Sequence, residues 1–164
     1  ETFLLTEQGY KDVIAIQYDP GILSYWQRTT RATSGDDRWF SYWNVDMHRL
    51  GEQLADFGVV DAIFALQTLE HAFAPWIVIL EMRKVLRDLG RVYLDLPDPD
   101  DQAMLETIQH TSVLYANQWK ALFIKAGFKL VADLSVKHRL GLVFEKLPDA
   151  TFLTWPAIHP YFEK

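Results

Sequence analysis

Gln67, Glu70 and His71 stand together just after residues 60–66, a stretch that is apolar except for one acid. A histidine exchanges a proton near neutral pH, a carboxylate accepts hydrogen bonds, and a carboxamide both donates and accepts. Such a trio can position a substrate and remove its proton. A second polar group, Asp95, Asp98, Asp100 and Asp101, lies at the end of the run 91–96. Its oxygens could hold a divalent cation, but there is no glycine-bearing calcium-loop pattern and Pro97 and Pro99 restrict convergence. The segment reads as a solvated acidic loop. Asp46 precedes a stretch of helical character, where an aspartate commonly caps. His110 stands alone in a loop. No ligands are paired at the helical spacing that zinc hydrolysis uses, so no metal site is assigned.

The elements that must carry these residues follow from periodicity. Residues 60–66 and 91–96 read as buried strands. Between them Pro75 opens a helix in which Val78, Met82, Val85 and Leu89 recur at helical spacing, Ile79 and Leu86 widen the stripe, and Gly90 falls just past the end. Strand, helix and strand make a parallel pair with a right-handed crossover, which predicts an α/β fold with helices on both sheet faces. Ligands of such sheets bind at the carboxyl ends of the strands, here 67–73 and 97–101.

The remaining chain extends this pattern. Residues 13–16 form a strand ending at Gln17, Tyr18 and Asp19, followed by a helical segment at 21–30 and a polar loop at 32–38. An aromatic strand at 39–45 ends at Asp46 and Met47, and 48–57 reads as a short helix. Residues 102–109 form another short helix, and 115–126 the last crossover helix, with Asn117 as its cap and Gly127 as its stop. Strands at 128–136 and 140–146 form a hairpin through Lys137, His138 and Arg139. Residues 1–8 read as the last turns of a helix, and 148–164 as a tail on a domain spanning 1–147.

Asp61-Ala62-Ile63-Phe64, Leu69-Glu70-His71, the run from Leu80 to Leu86, and Gly90-Arg91-Val92 with Pro97 together resemble the middle of a class I S-adenosylmethionine-dependent methyltransferase. The likeness is to the group acting on small molecules, sugars and lipids, and spans about residues 9–146. It implies a Rossmann-like, mostly parallel sheet with an antiparallel C-terminal strand, S-adenosylmethionine as cofactor, a small-molecule methyl acceptor and a cytoplasmic setting. By position it implies Gln17, Tyr18, Asp19, Asp46, Met47 and Gln67 as cofactor contacts, His71 as the catalytic base, and Glu70 and His110 beside the acceptor.

Three departures are visible. The family's first strand and glycine-rich turn are expected to fall before Glu1, which removes the central strand between those at Val13 and Val60. More chain upstream, closure of the two flanking strands, or a partner could fill that slot, and Ile14 and Ile63 are expected in one sheet. The acid that ends the family's second strand is replaced by Gln17, whose single amide oxygen carries no charge. Asp19 could substitute, about 6.6 Å further along an extended chain. The family's Lys-Pro-Gly-Gly turn is replaced by Arg87-Asp88-Leu89-Gly90.

Composition narrows the rest. The chain has 164 residues, 49% hydrophobic and 23% charged, which suits one globular domain. A net charge of −6 with scattered cations argues against a nucleic-acid partner, and no apolar run approaches a membrane span. Zero cysteines exclude disulfides and thiolate metal sites. Six tryptophans, Trp26, Trp39 and Trp43 among them, suggest core or a homo-oligomer face. A dehydrogenase would need Tyr-x-x-x-Lys, but Tyr115 has Trp119 in the lysine position, and the hydrolase elbow Gly-x-Ser-x-Gly is absent. The rival that survives is a non-catalytic methyltransferase-like module for binding or assembly.

Overall fold

A computed structural model describes residues 13–34 and 40–149. The expected helical end at 1–8, Trp39 and nearly all of the tail at 148–164 lie outside the described residues. The chain separates into two compact units, Glu1–Arg49 and Leu50–Lys164.

In the first unit, β1 (Val13–Gln17) pairs in parallel with β2 (Phe40–Asn44), Val13 opposite Phe40 and Gln17 opposite Asn44. The helix α1 (Pro20–Ser34) connects them, as a parallel pair requires. It runs further than the predicted 21–30. Ala15, Leu23 and Val45 are buried in this unit.

The second unit holds α2 (Leu50–Gln53), β3 (Val60–Leu66), α3 (Pro75–Val85), β4 (Leu86–Pro97), α4 (Gln102–Glu106), α5 (Ala116–Lys125), β5 (Phe128–Asp133) and β6 (Arg139–Lys146). Its sheet has the order β3-β4-β6-β5, with β3 parallel to β4 and β6 antiparallel to both neighbours. The mostly parallel α/β plan with an antiparallel C-terminal strand is therefore present. Ile14 and Ile63, however, lie in two separate sheets.

Apolar side chains at strand and helix spacing build the core. Leu69, Val78, Ile79, Leu86, Val92, Leu96, Phe123, Leu142 and Phe144 are fully buried, and the rings of Phe123 and Phe144 stack with centroids 4.3 Å apart. Burial of each such side chain contributes about 1.5–3 kcal/mol.

Several predicted boundaries move. The helix from Pro75 stops at Val85; Leu86 is already extended and buried. Four residues, 87–90, then bulge out opposite Asp61, because Val60 pairs with Leu86 while Ala62 pairs with Arg91. Leu89 is half exposed and left-handed at φ 62° rather than part of the helix stripe. Gly90 is no helix cap. A Cβ there would lie 2.8 Å from the Arg87 carbonyl oxygen, so the bulge itself demands glycine. The expected helix at 48–57 breaks into two 3-10 turns around α2. The cap of α5 is Tyr115, not Asn117, and its N–H donates to Gln118 Oε1 at 2.9 Å. No helix of the described residues is long and apolar enough to cross a membrane.

Candidate functional site

The parallel strands end in the loops where the candidate side chains were expected. In the first unit, Gln17 closes β1 and its Oε1 accepts the Asp19 N–H at 3.2 Å. Asp19 in turn caps α1: its Oδ1 accepts the amides of Gly21 at 2.7 Å and Ile22 at 3.2 Å. Tyr18 between them is 71% exposed, so its ring offers a flat, uncovered face. At the end of β2, Asp46 Oδ1 accepts the His48 N–H at 2.9 Å and lies 3.0 Å from His48 Nδ1. These bonds, led by the backbone N–H of His48, hold the Asp46 carboxyl below its ordinary range. Met47 follows it in the 3-10 turn and is half-buried. Both aspartates thus serve as local caps, the simpler of the two roles their positions allow.

In the second unit, Gln67 ends β3 with a left-handed backbone at φ 49°. Only a few per cent of non-glycine residues adopt this conformation, and it places local strain at the mouth of the strand. Its N–H donates to the Asp95 carbonyl at 2.8 Å and its Nε2 to the same oxygen at 3.3 Å. Asp95 is also held by Arg139 on β6 through both carboxylate oxygens. Two acids of the following loop each turn one oxygen onto the nearby backbone. Asp98 Oδ1 accepts the Asp100 N–H at 3.0 Å, and Asp101 caps α4 through the Ala103 N–H at 3.1 Å. These acids do not converge on an ion.

What the sequence did not show is the company of His110. The Glu70 carbonyl accepts the N–H groups of Thr111 at 2.8 Å and Ser112 at 2.9 Å, and the buried Ser112 hydroxyl donates to the Ala72 carbonyl at 2.7 Å. These bonds stitch residues 110–112 onto the 3-10 turn Leu69–His71. The His71 and His110 rings meet edge to face, centroids 5.0 Å apart. Glu70 is completely buried beside them, and burial pushes its carboxyl above the ordinary range. No periodicity encodes this meeting, since it depends on backbone bonds between two loops.

A surface depression lined by Leu80, Arg83, Lys84, Lys146 and Asp149 contains none of the candidate residues. Its cations are already engaged, Arg83 by Gly127, Lys146 by Leu86 and Lys84 by Glu81.

The chain belongs to the methyltransferase domain family, whose model matches residues 1–94. No curated protein matches the sequence. The fold is shared with solved structures of low identity. Magnesium protoporphyrin IX methyltransferase (ChlM) from Synechocystis PCC 6803 with bound SAH is 14% identical, with a TM-score of 0.69 over 88% of this chain and 68% of that one. A putative sarcosine dimethylglycine methyltransferase from Galdieria sulphuraria is 11% identical, with a TM-score of 0.70 over 88% of this chain and 73% of that one. The [4+2]-cyclase SpnF is 14% identical, with a TM-score of 0.69 over 88% of this chain and 71% of that one.

Proposed function

We propose that this chain is a methyltransferase domain that uses S-adenosylmethionine to methylate a small-molecule, sugar or lipid acceptor. The observation that carries the reading is the family match over residues 1–94. A structure of similar fold described with bound SAH supports the choice of cofactor.

The residues present fit such a group in part. The exposed Tyr18 ring can stack on a base. Asp46 and Met47 follow the end of β2. Gln17 is the poor fit, because its amide oxygen is turned onto the Asp19 N–H. When bound, the cofactor supplies a methyl group on a sulfonium, open to in-line displacement, so most of the protein's work is alignment. His71 Nδ1 lies 3.1 Å from the Gln109 carbonyl. A carbonyl only accepts, so Nδ1 carries the hydrogen and Nε2 is the basic nitrogen that would take the acceptor's proton. Glu70 and His110 flank that nitrogen.

A second reading is favoured by one observation. The SpnF cyclase shows that this fold also serves another reaction, and a chain with Gln17 in the ribose position could persist as a binding or assembly module. Calorimetry with S-adenosylhomocysteine and a labelled-methyl transfer assay decide between them. Binding by the wild-type chain, weakened about tenfold in Asp46→Ala or Tyr18→Ala with the fold retained by circular dichroism, is expected if a hydrogen bond or a stacking face is lost. Absence of binding, both by this chain and by one extended upstream, would favour the module.

A further inference from the structure

The structure assigns a second role to the meeting of Glu70, His71 and His110: we propose that these three side chains form a binding site for a divalent transition-metal ion of the zinc type. One ligand atom from each lies within 4.8 Å of the others. Three features of the site point to a cation.

The first is the carboxylate. Glu70 is completely buried, and neither Oε1 nor Oε2 has a hydrogen-bond partner. His71 Nε2 stands 3.9 Å from Oε1, beyond hydrogen-bond reach. A buried carboxylate with both oxygens idle is costly unless it takes up a proton or something positive occupies the space before it.

The second is the tautomer of both histidines. His71 Nδ1 faces the Gln109 carbonyl at 3.1 Å, and His110 Nδ1 faces the Met104 carbonyl at 2.9 Å. Each Nδ1 must therefore donate, which leaves each Nε2 with a free lone pair in the neutral ring. Metal-bound histidines are held in this way, the far nitrogen donating to a backbone carbonyl so that the near one is fixed and basic.

The third is the rigidity of the frame. The Glu70 carbonyl holds both Thr111 and Ser112, so the segments bearing the ligands are tied together by backbone hydrogen bonds. Ligand atoms bonded to zinc at about 2.0–2.2 Å lie about 3.4 Å apart in a tetrahedron. Side-chain rotations closing the cluster from 4.8 Å by up to about 1.4 Å would reach that geometry. Two imidazoles and one carboxylate suit zinc, cobalt or iron rather than magnesium or calcium, which want oxygen throughout. Three protein ligands leave one position open for water or for an acceptor oxygen.

The site shares no residue with the cofactor contacts named above, but it changes the account of His71. With the ion in place, His71 Nε2 would be a ligand rather than a base, and the ion's charge would make a hydroxyl at the open position acidic enough to release its proton to solvent water.

The test is calorimetry with Zn2+ and visible spectroscopy with Co2+ on chelator-stripped full chain, wild type and Glu70→Gln, His110→Ala and His138→Ala. The expected result is one ion per chain and d–d bands of a four- or five-coordinate cobalt. His110→Ala and Glu70→Gln should each weaken binding by about 100-fold or more, since outer-shell changes alone cost about 10–100-fold. His138→Ala, in the β5–β6 turn, should leave it unchanged. Circular dichroism checks that each variant folds, and should Glu70→Gln fail, His110→Ala still decides. Absence of binding, or binding that survives His110→Ala, overturns the proposal. S-adenosylhomocysteine binding measured on the same stripped samples reports on the methyltransferase reading separately.

Discussion

Arg83, on the buried side of α3, donates through Nη1 to the Gly127 carbonyl at 2.8 Å. Nη2 reaches the Leu147 carbonyl at 3.0 Å and Asp149 Oδ1 at 2.8 Å. One guanidinium thus satisfies the carbonyl at the α5–β5 junction and another just after β6, tying a helix to two ends of the hairpin. Its fork of donors suits that task where a single ammonium would not.

Replacing Arg83 by Met should therefore cost about 2–3 kcal/mol, because charge-assisted hydrogen bonds to two carbonyls are lost and the Gly127 carbonyl keeps only the Leu147 N–H at 2.9 Å. Arg83→Lys should fall between, keeping one of the bonds. Urea unfolding of the three proteins measures this, and a Met variant as stable as wild type would contradict the assignment.

Leu89 gives a prediction of opposite sign. Its left-handed backbone costs a non-glycine residue about 1–2 kcal/mol, and its side chain is 53% exposed. Leu89→Gly should stabilise the protein by about 1 kcal/mol, after the extra unfolded-state freedom of glycine is subtracted. A lower denaturation midpoint in the glycine variant would show that Leu89 packs more than it strains.

Glu70 sets a pH dependence. Its carboxyl is raised above 4.5 by burial, so between that value and the folded one the native state binds more protons than the unfolded chain. Stability then falls as pH rises through this window and levels off above it. In metal-stripped protein, Glu70→Gln should lack this decline and gain on wild type as pH increases from about 4.5. Parallel pH profiles of the two would refute the shift.

How much of this could be read from residues alone depends on where each feature is encoded. Strands β1, β3, β4 and β6 announce themselves as apolar or β-branched runs ended by polar loops. Leu86 and Leu89 misled because both sit at helical spacing after Val85. The helix stops there since β4 must begin in register with Val60, a tertiary demand that spacing does not carry. The capping bonds of Asp19 and Asp46 are local chemistry, and the cap at Asp46 was readable as such. His110 was not readable as a neighbour of His71, for the bonds that bring them together run from loop to loop.

The position of β6 has a consequence for synthesis. This strand is the last of the sheet to leave the ribosome, yet it occupies an interior place with β4 on one side and β5 on the other. Until it emerges, β4 has lost the antiparallel partner of its residues 91–97 and β5 has none at all. The second unit therefore cannot mature from its leading end, and nascent chains stalled before Arg139 would depend on chaperones to keep those ribbons from joining strangers.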